Sequence, residues 1–185
     1  MRFMILALSA AALAACGQQT ASTESTSDTV TAQAPVEAPA PPAMTDATFV
    51  QDVVNATAFE VQSSQLAPQH AHAQGVKTFA ARMVRDHNAA AAQLTALLPS
   101  LSITAPTASL DTAQQSTLDA LRAADGVAFD TAYTAAQVQA HQQAVSLFEN
   151  YTSTAAAGPL KDWASTTLPT LREHLTMAQG LQTPS

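Results

Sequence analysis

The stretch Val76-Lys77-Thr78-Phe79-Ala80-Ala81-Arg82-Met83-Val84-Arg85-Asp86-His87-Asn88-Ala89-Ala90-Ala91-Ala92-Gln93-Leu94 decides the fold. Its larger apolar side chains and small alanines recur at Val76, Phe79, Ala80, Met83, Ala90 and Leu94, the spacing of one face of an α-helix. The stripe continues to Leu97 and stops at Pro99, which cannot continue a helix. One member is out of character: His87 sits on the stripe between Met83 and Leu94.

Working outward, Gly75 is the expected turn residue before this helix, with His70 and His72 in the turn and solvated. A first helix, N-capped by Thr45 or Asp46, carries Val50, Val53, Val54, Thr57 and Val61 towards Leu66. It either stops before Pro68 or bends there in its last turn. Downstream, residues 99–110 form one long connection, and Asp111 caps a short helix over Ala113–Leu121 that breaks at Asp125-Gly126. A third long helix bears Phe129, Tyr133, Val138, His141, Val145, Phe148 and Thr152 and runs to Ala157. After Gly158-Pro159 a fourth bears Trp163, Leu168, Leu171, His174, Leu175, Ala178 and Leu181. No run alternates as a strand would. The economical solution is an all-α, antiparallel four-helix bundle over residues 46–182, two hairpins joined by a crossover with a short extra helix.

Composition removes several functions. The chain has 185 residues, of which 11% are charged and 47% hydrophobic, with a net charge of −7. An acidic surface without a Lys/Arg cluster repels phosphate backbones, so no nucleic acid is expected. Five scattered glycines leave no phosphate-cradling loop, and hence no nucleotide site. The single cysteine cannot build a disulfide, a thiolate zinc site or an iron–sulfur cluster. No serine stands in a nucleophile elbow, and nothing marks a substrate pocket. The balance leans away from an enzyme and towards a non-catalytic binding or interaction module.

His141 and His174 share the peculiarity of His87: each lies on the apolar stripe of its own helix. Burying an imidazole without a partner costs a few kcal/mol, so three such positions call for a common cause. Their heights are comparable because residues equidistant from a hairpin turn are level. The midpoint of His141 and His174 falls beside Gly158, and that of Glu60 and His87 falls beside Gly75. The two pairs differ in distance from their turns by three residues, ~4.5 Å of helical rise. If both turns lie at the same end of the bundle, Glu60, His87, His141 and His174 converge on one layer, one from each long helix. One carboxylate and three imidazoles suit a single zinc, copper or iron ion. Asp86, Glu173 and Tyr133 are candidates to support them from outside. The alternative is a buried polar layer in which the histidines bond to Glu60, Tyr133 or Tyr151 and fix helix register. Elsewhere, Trp163 is expected in the core, Arg82–Asp86 as a surface pair, and Asp130 as a complement to the helix dipole.

Residues 1–15 read as a secretory signal, with Arg2 as the charged start and an apolar run from Phe3 to Leu13. That run is too short for a permanent span, which needs about 20 apolar residues. Leu13-Ala14-Ala15-Cys16 resembles a bacterial lipobox, which implies lipidation of Cys16 and membrane attachment through it. By the same resemblance, Gly17 after the cysteine implies the periplasmic face of a Gram-negative outer membrane. Residues 16–45 are rich in Ala, Thr, Gln and Pro without apolar period, a disordered linker reaching ~30 Å. An envelope protein is the expected partner, of unknown identity.

The motifs Val76-Lys77-x-Phe79-Ala80-x-Arg82-Met83-Val84-x-Asp86-His87, Phe129-Asp130-x-x-Tyr133, His141 and Leu168-Pro169-x-Leu171-x-x-His174 resemble the domain of unknown function 4142 family. Glu60 matches the acid on that family's first helix. The resemblance implies a ferritin-like fold, common in bacterial envelopes and often lipid-anchored, with no agreed biochemical function. A di-iron reading does not follow. Di-iron carboxylate bundles place Glu-x-x-His on two helices, whereas Val84 and Leu171 stand three residues before His87 and His174.

Overall fold

The structure, a computed structural model, describes residues 44–182. The expected signal, Cys16 and nearly all of the linker lie outside the described residues. Five α-helices follow in order: α1 (Asp46–His70), α2 (Gln74–Leu97), α3 (Thr112–Arg122), α4 (Gly126–Thr154) and α5 (Pro159–Gln182). A 3-10 turn, Leu98–Leu101, extends α2, and no strand occurs among the described residues. None of these helices is long and apolar enough to cross a membrane.

The termini show which local chemistry the sequence carries. Thr45 caps α1, its hydroxyl accepting from Thr48 N, while Asp46 accepts from the Tyr151 hydroxyl at 2.6 Å. Asp111 and Gln114 form a reciprocal capping box on α3. α1 runs through Pro68 to His70, so the proline sits in the last turn, where it forgoes the bond to the Ser64 carbonyl with only one turn of helix left to lose. Gly75 is inside the first turn of α2, and the connection is Ala71–Ala73. A Cβ on Gly75 would meet Leu181 Cδ2 at 3.2 Å, so the glycine serves close helix approach rather than the turn. Gly126, at φ +63°, starts α4 in the left-handed region that favours glycine.

α2 has no side-chain cap of its own. Asp130, on α4, instead pins the connection just before it, accepting from His72 N at 3.1 Å and Ala73 N at 2.8 Å. Beside the dipole role expected within α4, its carboxylate thus anchors the α1–α2 connection. His70 departs from expectation. It is not solvated: Nδ1 lies 2.8 Å from Asp125 Oδ1 and the ring stacks on Phe129. His72 is exposed, as expected.

The four long helices pack in a ring, α1 on α2, α2 on α5, α5 on α4 and α4 on α1, with α3 against α1 and α4. Their buried faces form two apolar clusters. One gathers Phe49, Val53, Leu94, Phe148, Tyr151, Trp163 and Leu171. The other gathers Ala67, Val76, Phe79, Met83, Phe129, Tyr133 and Ala178. Each large side chain removed from water stabilises by about 1.5–3 kcal/mol. Between the clusters every long helix turns polar: Glu60 falls between Val53 and Ala67, His87 between Met83 and Leu94, His141 between Tyr133 and Phe148, and His174 between Leu171 and Ala178. Two dry layers thus hold one polar layer.

Candidate metal centre

Glu60, His87, His141 and His174 are all buried, at 1%, 5%, 0% and 1% exposure. They converge, but not because the two hairpin turns share an end: Ala71 meets Gly126 at one end of the bundle and Tyr151 meets Asp46 at the other, and the four residues are level because each lies near the middle of its helix. The three imidazole rings form a near-equilateral triangle, their centroids 5.4, 5.5 and 5.4 Å apart. One nitrogen from each lies within 4.8 Å of the others, and the closest pair, His87 Nε2 and His141 Nε2, are 3.4 Å apart. Glu60 is outside that set. Its Oε2 meets His87 Nδ1 at 3.2 Å and its Oε1 lies 3.6 Å from His141 Nδ1, so it faces the outer nitrogens of both rings.

The outer nitrogens are each held, and the partners fix the tautomers. His141 Nδ1 lies 2.9 Å from the Gln137 carbonyl, which only accepts, so Nδ1 carries the proton and Nε2 is a bare lone pair. His174 Nε2 lies 3.1 Å from Asp86 Oδ2. Burial raises the Asp86 pKa, but hydrogen bonds from Arg82, His174 and Arg85 outweigh it and hold the group below its ordinary value. Asp86 is therefore ionised, His174 Nε2 donates, and Nδ1 is a second bare lone pair; it is buried and has no hydrogen-bond partner. Geometry of this kind, an inner nitrogen free and an outer one bonded to carboxylate or carbonyl, is how proteins orient metal-binding histidines.

Burial sets the charges. It raises Glu60 to about 8 and lowers His87 to about 3 and His141 to about 4; His174 is lowered too, against the opposing pull of Asp86. All three rings are neutral at pH 7, and the Glu60–His87 contact is a neutral hydrogen bond rather than an ion pair. Neutral imidazoles are the form that binds metal. With Glu60 protonated, its hydroxyl donates to His87 Nδ1, and His87 Nε2–H points at the bare Nε2 of His141.

The remaining candidates sort clearly. Asp86 reaches the cluster, through His174. Glu173 does not: it is exposed and pairs with Arg82 at 2.9 Å. Tyr133 bonds Ser64 at 2.8 Å and Tyr151 bonds Asp46, so neither tyrosine reaches a histidine. Trp163 is in the core. Arg82–Asp86 is half-buried and networked rather than a plain surface pair. Sequence reading missed a second polar tier, where Gln137 Nε2 donates to Ser63 Oγ at 2.9 Å. The signal was available: Ser63 and Ser64 follow Glu60 by one turn, and Gln137 precedes His141 by one.

Fold and site together define a helical bundle with a buried three-histidine cluster. The chain belongs to the family described as Domain of unknown function (DUF4142), whose profile matches residues 31–181. No curated protein matches it. Among solved structures it is similar to CopM in the Cu(II)-bound form, with TM-score 0.65, 16% identity, and coverage of 76% of this chain and 97% of that one. CopM in the Cu(I)-bound form gives TM-score 0.62 and 18% identity over 74% and 94%. A DUF305 fragment from Deinococcus radiodurans gives TM-score 0.67 and 15% identity over 77% and 98%. At these identities the likeness is one of fold.

Proposed function

We propose that this protein binds one transition-metal ion, copper by preference, through His141 Nε2, His87 Nε2 and His174 Nδ1, on a ferritin-like four-helix bundle. The observation that carries the reading is the pair of bare, inward-facing lone pairs on His141 and His174, each fixed by an acceptor on the ring's other nitrogen. Tetrahedral bonds of 2.0–2.1 Å separate two ligand nitrogens by ~3.3 Å, and the closest pair stands at 3.4 Å. Three imidazoles without thiolate suit copper, zinc, iron or nickel, and Cu(II) binds most tightly in that series. The copper-bound state of the CopM structures, which share this backbone, favours the same ion.

Glu60 does not act as a ligand in this reading. Glu60 would pass its proton to His87 Nδ1 as the Nε2 proton is released to solvent on binding, which leaves His87 Nε2 free and Glu60 ionised. The cavity beside Glu60 and His87 is about 30 Å³, room for water at the protonated pair. The lipobox at Cys16 supports attachment to the outer membrane facing the periplasm. Elemental analysis of the intact chain, purified without chelator or affinity tag, tests the proposal. Near one metal per chain, lost in His141→Ala, upholds it. No uptake after incubation with copper, zinc and iron leaves a polar layer that serves only helix register.

A further inference from the structure

Of the three outer contacts of the histidine cluster, two are dead ends. His141 Nδ1 stops at a main-chain carbonyl inside α4, and His87 Nδ1 stops at buried Glu60. The third leads out. His174 Nε2 meets Asp86, whose side chain is 21% exposed at the seam between α2 and α5.

Asp86 is itself clamped. Arg82 Nε donates to it at 3.1 Å and Arg85 Nε at 2.9 Å. The other two nitrogens of Arg82 cross the seam, Nη2 to Glu173 at 2.9 Å and Nη1 to Met177 Sδ at 3.0 Å. One guanidinium therefore ties two carboxylates and a thioether together, over the one histidine whose outer partner reaches solvent. Arg85, 70% exposed, holds only Asp86.

We infer that this seam is the port through which the metal enters and leaves, and that Arg82 is its latch; the inference rests on the metal-binding reading. Ligands buried to this degree cannot be reached by a hydrated ion unless a side chain moves. His174 can turn only when Asp86 releases Nε2, and of the two arginines that hold Asp86 only Arg82 also crosses the seam to α5. With Arg82 in place its cation covers the port and opposes an approaching cation. With Arg82 swung out, Asp86, Glu173 and Met177 present two oxygens and one sulfur, donors that accept a first-row ion before the imidazoles do. Arg82 is thus a positioning residue that controls rate, and it contributes no ligand.

The test is stopped-flow loading of the intact chain with Cu(II), followed by emission of Trp163, the single tryptophan, which lines the same cavity as His87. Release is timed into a chromophoric chelator. In Arg82→Gln both rates are expected to rise about tenfold while Kd stays within about threefold, because the latch lies on the path and not at the end state. Arg82→Lys, which keeps the charge but cannot bridge three partners, falls between. Arg172→Gln, which breaks the remote Arg172–Glu149 pair, leaves both rates unchanged. Unaltered rates in Arg82→Gln overturn the port, as does a weaker Kd with an unaltered association rate, which makes Arg82 a mere support of Asp86. A wild-type chain that binds no copper, zinc or iron overturns the metal reading and the port with it.

Discussion

His87 Nε2 and His141 Nε2 face each other at 3.4 Å, from α2 and α4, inside a layer where neither ring is more than 5% exposed. Two bare imidazole nitrogens so placed repel unless a proton or a metal lies between them. In the metal-free chain the proton on His87 Nε2 fills that position, and in the proposed holo state a cation replaces it. Under the proposed function the contact is a site at which proton and metal compete.

Alanine substitutions should divide the five histidines into two groups. His87→Ala, His141→Ala and His174→Ala each remove one of three ligands and are expected to weaken metal binding by more than about 100-fold, beyond the range seen for outer-partner changes. His70→Ala and His72→Ala leave affinity unchanged, since His70 is engaged with Asp125 and His72 is exposed. Competition against a chelator of known affinity reads the difference. Equal losses across all five would mean that binding is at the surface.

The outer partners should differ in the same assay. Asp86→Ala removes the acceptor that fixes the His174 tautomer, and a loss of roughly 10–100-fold in affinity is expected. Glu173→Ala, one residue from His174 but exposed and bonded only to Arg82, should cost less than about threefold, as exposed pairs do. Comparable losses would place Glu173 at the metal after all.

The metal-free protein should be most stable near pH 6.5. His87 and His141 titrate at about 3 and about 4 in the fold, against 6.5 unfolded, so the unfolded chain binds more protons between those values and stability falls as pH drops. Glu60 works the other way: at about 8 folded and 4.5 unfolded, it costs stability as pH rises between them. From pH 4.5 to 6.5 the two histidines outweigh the one acid. Above 6.5 only Glu60 acts, at up to about 1.4 kcal/mol per pH unit. Urea midpoints at pH 5, 6.5 and 8 should form a peak, and Glu60→Gln should flatten the limb from 6.5 to 8. A wild-type midpoint that keeps rising to pH 8 would contradict the buried acid.

The sequence reading reached the helices and the layer for one reason: both rest on period. A stripe that admits His87, His141 and His174 at helical spacing is visible in the letters, and hairpin geometry levels Glu60 with His87 and His141 with His174; the two pairs meet because all four residues sit midway along helices whose turns lie at opposite ends. Direction is not visible in that way. Glu60 stood at the right height, yet whether it faces the inner or outer nitrogen of His87 depends on helix rotation, which height does not report. The Gln137 carbonyl had no signal at all, because every residue carries one. His70 was misread because its partners, Ala124 and Asp125, come from a loop more than fifty residues away. The same holds for Asp130, whose clients are main-chain N–H groups of another hairpin.

That last contact yields a stability prediction independent of metal. α2 begins at Gln74 behind Ala73, a residue with no capping side chain, and Asp130 alone satisfies His72 N and Ala73 N with a charged group. Charge-assisted bonds of this kind are stronger than neutral ones, and losing them costs about 1.5–3 kcal/mol. Asp130→Ala should therefore lower the unfolding free energy read from a urea titration by that amount, with Asp130→Asn in between because one oxygen remains. Metal affinity should not change, since Asp130 holds the α1–α2 connection while the histidines lie midway along the helices. If Asp130→Ala instead weakened metal binding as much as Asp86→Ala, α2 would have to shift along its axis when its first turn is freed. The two apolar clusters that grip it above and below His87 argue against such a slide.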